Sequence, residues 1–329
     1  MKICILGSYS GTMDEGMSNI SYHIYSNLCA KYQYLILLNV REAKSLKFWN
    51  KLIRFKPNLV HYISAPTFKQ LIFLKIIQLL TGSRTVVSAT QSILHKSRVF
   101  KLISFLLKPD IVLVQSEKTE AFFGTIKYRT RFIPNGVDIQ KFVPVNEKEK
   151  RNMREKYGFK DEDFIILHIG PINNDRNQKA LLQPEIQEHC KVLLIVSITN
   201  PSEASTSKDI SKTNAIIWKQ YFSNIQEIYS MVDVYVWPVF AELHGVEIPL
   251  TILEAMSCNL PVITTRYGAL NRIFQEGDGL IFVNNDKELH RSILEIKAGG
   301  IIINTRQKVQ TMSWKNITNS ISEIYEYIM

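Results

Sequence analysis

Short apolar runs recur along the chain and alternate with longer stretches whose apolar residues fall at helical spacing. Ile3–Leu6, Tyr34–Leu38, Leu59–Ile63, Thr85–Ala89 and Ile111–Val114 read as strands. Between the first two, Ser18–Ala30 places Ile20, Ile24 and Leu28 on one helical stripe. The alternation restarts later, with strands at Phe164–Ile169, Val192–Ile198, Ile216–Trp218, Val234–Pro238 and Val262–Thr265. Ile225–Val232 is helical, and Trp314–Met329 is an amphipathic helix through Ile317, Ile321, Ile324, Tyr325 and Ile328. Strands alternating with helices predict parallel, doubly wound sheets, which bind ligands at their strand ends.

The segment Ile248–Pro261 organises the second half. Pro249 suits the start of a helix, Asn259 can take the left-handed conformation that ends one, and Pro261 forbids continuation. Inside this apolar helix stands one acid, Glu254. A buried carboxylate must find partners or lose its charge. It either makes an ion pair or cap, or it accepts hydrogen bonds from sugar hydroxyls. The nearby helix start offers free N–H groups and a positive dipole end, suited to phosphate.

With 329 residues the chain is long enough for two domains with their own cores. Charge divides them. Residues 1–146 hold 20 Lys and Arg against 7 Asp and Glu, whereas the remainder holds 20 against 23. A basic first half implies a polyanionic partner, either an anionic membrane surface, a phosphorylated lipid acceptor or nucleic acid. Nucleic acid is disfavoured, since no basic motif interleaved with aromatic residues is visible. Two apolar segments carrying lysines, Phe68–Leu80 and Ser97–Lys108, could lie on an anionic bilayer. The four cysteines are widely spaced, so they read as small core residues in a reducing compartment. Met1–Gly7 is too short for a signal segment, and no apolar run reaches the roughly 18 residues of a membrane span.

Leu253-Glu254-Ala255-Met256 followed by Pro261-Val262-Ile263-Thr264-Thr265 resembles the nucleotide-sugar segment of the retaining GT-B glycosyltransferases of family four, the glycosyl transferases group 1. Ile133-Pro134-Asn135-Gly136-Val137-Asp138 is a second characteristic run, a turn in which Gly136 tolerates positive φ. The resemblance covers nearly the whole chain. It implies an α/β, GT-B fold, with two doubly wound Rossmann-like domains facing each other across a cleft. Residues 1–145 would be the acceptor-side domain and 146–313 the nucleotide-sugar domain, joined through the polar stretch Asn146–Arg154. Helix 314–329 would pack back on the first domain.

The resemblance also implies site residues. Gly11 and Gly16 lie in the first strand–helix loop, expected beside the donor diphosphate and acceptor. Gly170 begins the loop whose family pattern carries two cations. Arg176 falls at the Lys position, but Pro171 replaces the expected Arg. Trp218 is expected near the nucleotide base, and Leu253 and Glu254 at the donor, Glu254 on the ribose. The family places a first acid eight residues before the second, on the donor sugar. Here Glu242 lies twelve residues before Glu254 and Glu247 seven, so both remain candidates. The family's active-site His position holds Gln91, and neither His61 nor His95 matches it.

The implied activity is transfer of a sugar from a nucleotide-sugar, such as a UDP- or GDP-sugar, to a glycan or lipid-linked acceptor with retained configuration. The nucleotide-sugar is a substrate, and neither a cofactor nor a metal is expected. The expected location is cytoplasmic, peripheral on the inner face of the membrane. The departures at Pro171 and the first acid motivate an alternative, a non-catalytic GT-B-like binding or scaffold protein.

Overall fold

The structure, a computed structural model, describes residues 1–9, 15–65, 67–91, 103–196, 198, 210, 213–241 and 245–329. The chain forms two compact units. The first comprises Met1–Gly136, His244–Ile248 and Trp314–Met329, and the second Val137–Leu243 and Pro249–Ser313.

In the first unit six parallel strands take the order β2-β1-β3-β4-β5-β6. They are β1 (Lys2–Gly7), β2 (Tyr34–Asn39), β3 (Leu59–Ser64), β4 (Arg84–Ala89), β5 (Ile111–Val114) and β6 (Thr130–Phe132). β3 is buried along its whole length, as a parallel strand covered on both faces must be. One face carries α2 (Leu46–Phe55), α3 (Phe68–Thr81) and α4 (Glu117–Thr125), packed through Phe48, Leu52, Leu71, Leu74, Ile77 and Phe123. α1 (Gly16–Cys29) buries Ile20, Ile24 and Leu28, and the final helix (Trp314–Ile328) packs beside it.

The final helix is fixed by specific contacts. His61 of β3 is fully buried, with Nδ1 2.6 Å from Tyr325 Oη and Nε2 2.7 Å from Ser88 Oγ. Burial pushes its pKa down to about 3, so it stays neutral. His61 is therefore a packed core histidine. Trp314 stacks on His23 at 5.0 Å between ring centroids. A Cβ on Gly136 would lie 2.7 Å from the Trp314 ring. The glycine is needed for that close approach. It is not among the positive-φ residues, contrary to the turn reading.

The second unit repeats the plan with the order β12-β11-β10-β7-β8-β9. β7 (Ile165–Ile169) and β10 (Val234–Trp237) are neighbours at the point where the order reverses. β8 (Lys191–Ile195) and β9 (Ile216–Trp218) continue on one side, with β11 (Val262–Thr264) and β12 (Leu280–Phe282) on the other. The polar stretch after Asn146 forms the helix Glu147–Lys156. Asn146 and Glu149 make a reciprocal capping box that starts it. Two of its cations are paired across the unit, since Lys150 and Arg154 both meet Asp233 at 2.7 Å.

Of the cysteines, Cys4, Cys190 and Cys258 are buried and Cys29 is exposed, and all four are free. No described helix is long and apolar enough to cross a membrane.

Candidate active site

The reversal between β7 and β10 is where an open parallel sheet leaves a crevice beyond its strand ends. The chain places a cation at one of these ends and an acid on the helix that follows the other.

The β7 end runs through Gly170 into the short turn Asn174–Arg176, whose start is capped by Asn173. Arg176 lays its guanidinium over the Trp237 ring at the end of β10, 4.7 Å from the centroid. Its Nε and Nη1 are buried and find no hydrogen-bond partner among the described residues. The same holds for Trp237 Nε1. Burial lowers the Arg176 pKa, opposed by Tyr235 and Tyr267 nearby. Gly170 makes room for this cation, because a Cβ there would come 2.6 Å from Nη1. Beneath it His168 is held by the Val236 carbonyl at 2.9 Å, with its pKa pushed down to about 4 by burial. Gln178 donates to the Pro171 carbonyl at 2.7 Å, so the residue standing where a second cation was expected is part of the loop's frame.

Glu254 lies on the helix Leu250–Ser257, which Pro249 caps and Asn259 ends at φ +57°, as read from the sequence. Its carboxylate accepts from Tyr229 Oη at 2.8 Å. Burial raises its pKa to about 7, countered by that bond and by the charge of Lys141. Tyr235 Oη donates to Thr251 Oγ1 on the same helix at 2.6 Å. Leu253 is fully buried in the packing of this helix.

Trp218 is half-buried on the outermost strand, with β8 between it and β7. It sits in an aromatic group with Tyr157, Phe159 and Phe222, and the structure does not bring it to Arg176. Gly16 opens α1 in the first unit, 3.4 Å from Val246 Cγ2 when given a Cβ. Gly11, Glu242 and His95 lie outside the described residues.

Glu247 belongs to the first unit and is buried. Its carboxylate accepts from the Ser116 backbone N–H at 3.0 Å, Ser116 Oγ at 2.6 Å and Thr119 Oγ1 at 2.5 Å. Both oxygens are thus engaged at the start of α4, a favourable place for a negative charge. Its own N–H donates to the Thr90 carbonyl at 2.9 Å, and Val246 pairs with Gln91. Asn135 completes the arrangement, donating to the Ile248 carbonyl at 2.8 Å.

Sequence reasoning did not single out Trp237, Tyr229 or Lys141. An aromatic residue ending a strand at the reversal point was the available signal for Trp237. Tyr229 and Lys141 come to Glu254 only through the fold.

Two doubly wound parallel sheets with these strand orders define a GT-B fold. The structure of Anabaena HepE in complex with UDP matches with a TM-score of 0.77 at 16% identity, covering 99% of this chain and 100% of that one. Residues 163–298 match the family model described as Glycosyl transferases group 1. Among curated relatives, the chain is 26% identical over 201 residues to an Escherichia coli UDP-Gal:alpha-D-GlcNAc-diphosphoundecaprenol alpha-1,3-galactosyltransferase, covering 57% of this chain and 48% of that protein. It is 24% identical over 183 residues to mannosylfructose-phosphate synthase of Agrobacterium fabrum, covering 50% and 39%. The chain spans about half the length of the curated relatives it matches.

Proposed function

We propose that this protein transfers a sugar from a nucleotide-sugar to a glycan or lipid-linked acceptor with retention of configuration and without a metal. The observation that carries this is Arg176, a cation at the sheet's reversal point with two buried donors that find no partner among the described residues. Such donors cost stability unless a ligand satisfies them. A leaving diphosphate does so by charge-assisted hydrogen bonds. Glu254, with its pKa raised to about 7 and its carboxylate accepting from Tyr229, is the acceptor for ribose hydroxyls. UDP and UDP-glucose are bound in solved structures of the HepE fold relative, which supports a nucleotide-sugar donor.

The reaction breaks the bond between the sugar's anomeric carbon and the diphosphate oxygen. The acceptor oxygen bonds to the same face, and its proton leaves with the diphosphate. Arg176 stabilises the charge that develops on the leaving group. Glu242 takes the first acid's role on the donor sugar, because both oxygens of Glu247 are already engaged. The lipid-linked acceptor is supported by the basic first half and by the diphosphoundecaprenol substrate in the name of the Escherichia coli relative. A cytoplasmic protein working at an anionic membrane face fits both.

The test is to follow nucleoside-diphosphate release from UDP- and GDP-sugars with lipid-linked acceptors, and to read the product's anomeric coupling by NMR. Release that depends on acceptor, survives chelation and gives a retained anomer is the expected result. Nucleotide binding with no transfer to any acceptor would favour the binding-protein alternative, for which Pro171 in place of a second cation is the specific observation.

A further inference from the structure

The side of α3 turned away from its sheet is as apolar as the side packed on it. Leu71, Leu74 and Ile77 are buried in the core. On the opposite side Ile72, Ile76 and Leu79 follow one another at helical spacing, with Leu80 beside them. Leu79 is 74% exposed and Leu80 55%. A soluble helix normally presents charged residues there, and a helix apolar all round is normally enclosed. The short turn Phe105–Leu107 packs beside α3. Its Leu107 joins the core, while Phe105 is 78% exposed and Leu106 is 65% exposed. Two neighbouring elements therefore present large apolar side chains outward together, where exposed groups of this kind mark an interaction site.

The charge along this stretch of the chain is of one sign. Lys69 and Lys75 flank the apolar stripe on α3, and Lys108 follows the turn. Lys75 Nζ bonds only the Gln78 side-chain oxygen, at 2.9 Å, among the contacts described. Between Ala43 and Pro109 the chain carries 12 Lys and Arg and no Asp or Glu. The next acid, Asp110, is paired with Arg84 at 2.9 Å. α2, which meets α3 through Trp49 and Phe73, extends the pattern by exposing Leu46 and Ile53 beside Lys47, Lys51 and Arg54.

We propose that the outer face of α3 with the Phe105–Leu107 turn docks onto an anionic lipid bilayer. Its apolar side chains enter the headgroup boundary and its lysines meet lipid phosphates. An apolar strip rimmed by cations and free of acids is complementary to that surface. The proposal rests on the reading that the protein works at an anionic membrane, and it is independent of which sugar is moved.

The test is flotation of the full chain with vesicles of phosphatidylcholine alone and of phosphatidylcholine with phosphatidylglycerol. The chain is expected to float with the anionic vesicles, to be released by salt, and to stay behind with neutral ones. Ile76→Ser with Leu79→Ser should lower recovery about tenfold, since both side chains are solvent-facing and their loss spares the core. Lys69→Glu and Lys75→Glu should each lower it by more than roughly fivefold. Thermal unfolding of each variant shows that it is folded. Variants that float like the parent would overturn the assignment to this face and leave the membrane reading standing. A folded parent that ignores anionic vesicles would overturn both. A parent that ignores vesicles but dimerises, and becomes monomeric with the two serines, would make the face a contact between copies and overturn the proposal. Sugar transfer to a soluble acceptor, measured alongside, separates all of these results from failure of the catalytic reading.

Discussion

Arg176 and Glu254 differ in how their charge is met, and that difference yields tests. Arg176 rests on an aromatic face with two donors that find no partner among the described residues, so a bound diphosphate should depend on it steeply. Arg176→Ala is expected to weaken nucleotide binding by about 2–3 kcal/mol, the scale of a charged hydrogen bond, when measured by titration calorimetry. Gly170→Ala should approach the same loss without removing any charge, because the new methyl displaces the guanidinium. Glu254 makes a prediction about protons. Its folded pKa, about 7, lies above the unfolded value, so the folded state holds the extra proton between roughly 4.5 and 7. Stability from this group is full below that window and is lost as pH rises through it. Hydroxyls that donate to the carboxylate favour its charged form. Nucleotide binding near pH 7 should therefore release protons, seen as a buffer-dependent binding heat, and Glu254→Gln should remove that dependence.

At the scale of elements, the start of α4 is held by an acid from a distant part of the chain. Glu247→Ala would leave the Ser116 N–H and two hydroxyls short of their acceptor. It should destabilise the protein by about 2–4 kcal/mol in denaturant unfolding, with Glu247→Gln milder. The sequence shows Glu247 only as an acid at a suggestive spacing. Its capping role needs α4 beside it, 131 positions earlier in sequence, and no local pattern carries that. Gly136 shows the same limit, since its need comes from Trp314 near the far end of the chain. By contrast, Asn259 at the end of its helix was legible, because a left-handed stop is a local matter of residue type. The final helix offers a further test. His61 is kept neutral by burial, so its folded pKa lies below the unfolded value and stability should fall as pH drops below about 6.5. Tyr325→Phe removes its Nδ1 partner and should cost about 1 kcal/mol at neutral pH.

For the whole molecule, the repeated alternation of apolar runs with helical stripes specifies two parallel sheets, and the strand orders bear this out. What that pattern leaves open is which side chains converge at each reversal point. Arg176 was found by its loop, whereas Trp237 and Tyr229 were not, because their neighbours are fixed by strand order and helix packing. The central claim is that the second unit binds a nucleotide through Arg176 and Glu254. The most direct measurement is thermal unfolding of the full chain with UDP, GDP, ADP and their sugars, repeated for Arg176→Ala and Glu254→Ala. A ligand that binds only the folded state raises the melting temperature by mass action. The account predicts a rise with one nucleotide family that both substitutions abolish in folded protein. A folded parent whose melting temperature is unmoved by every nucleotide and nucleotide-sugar would contradict it.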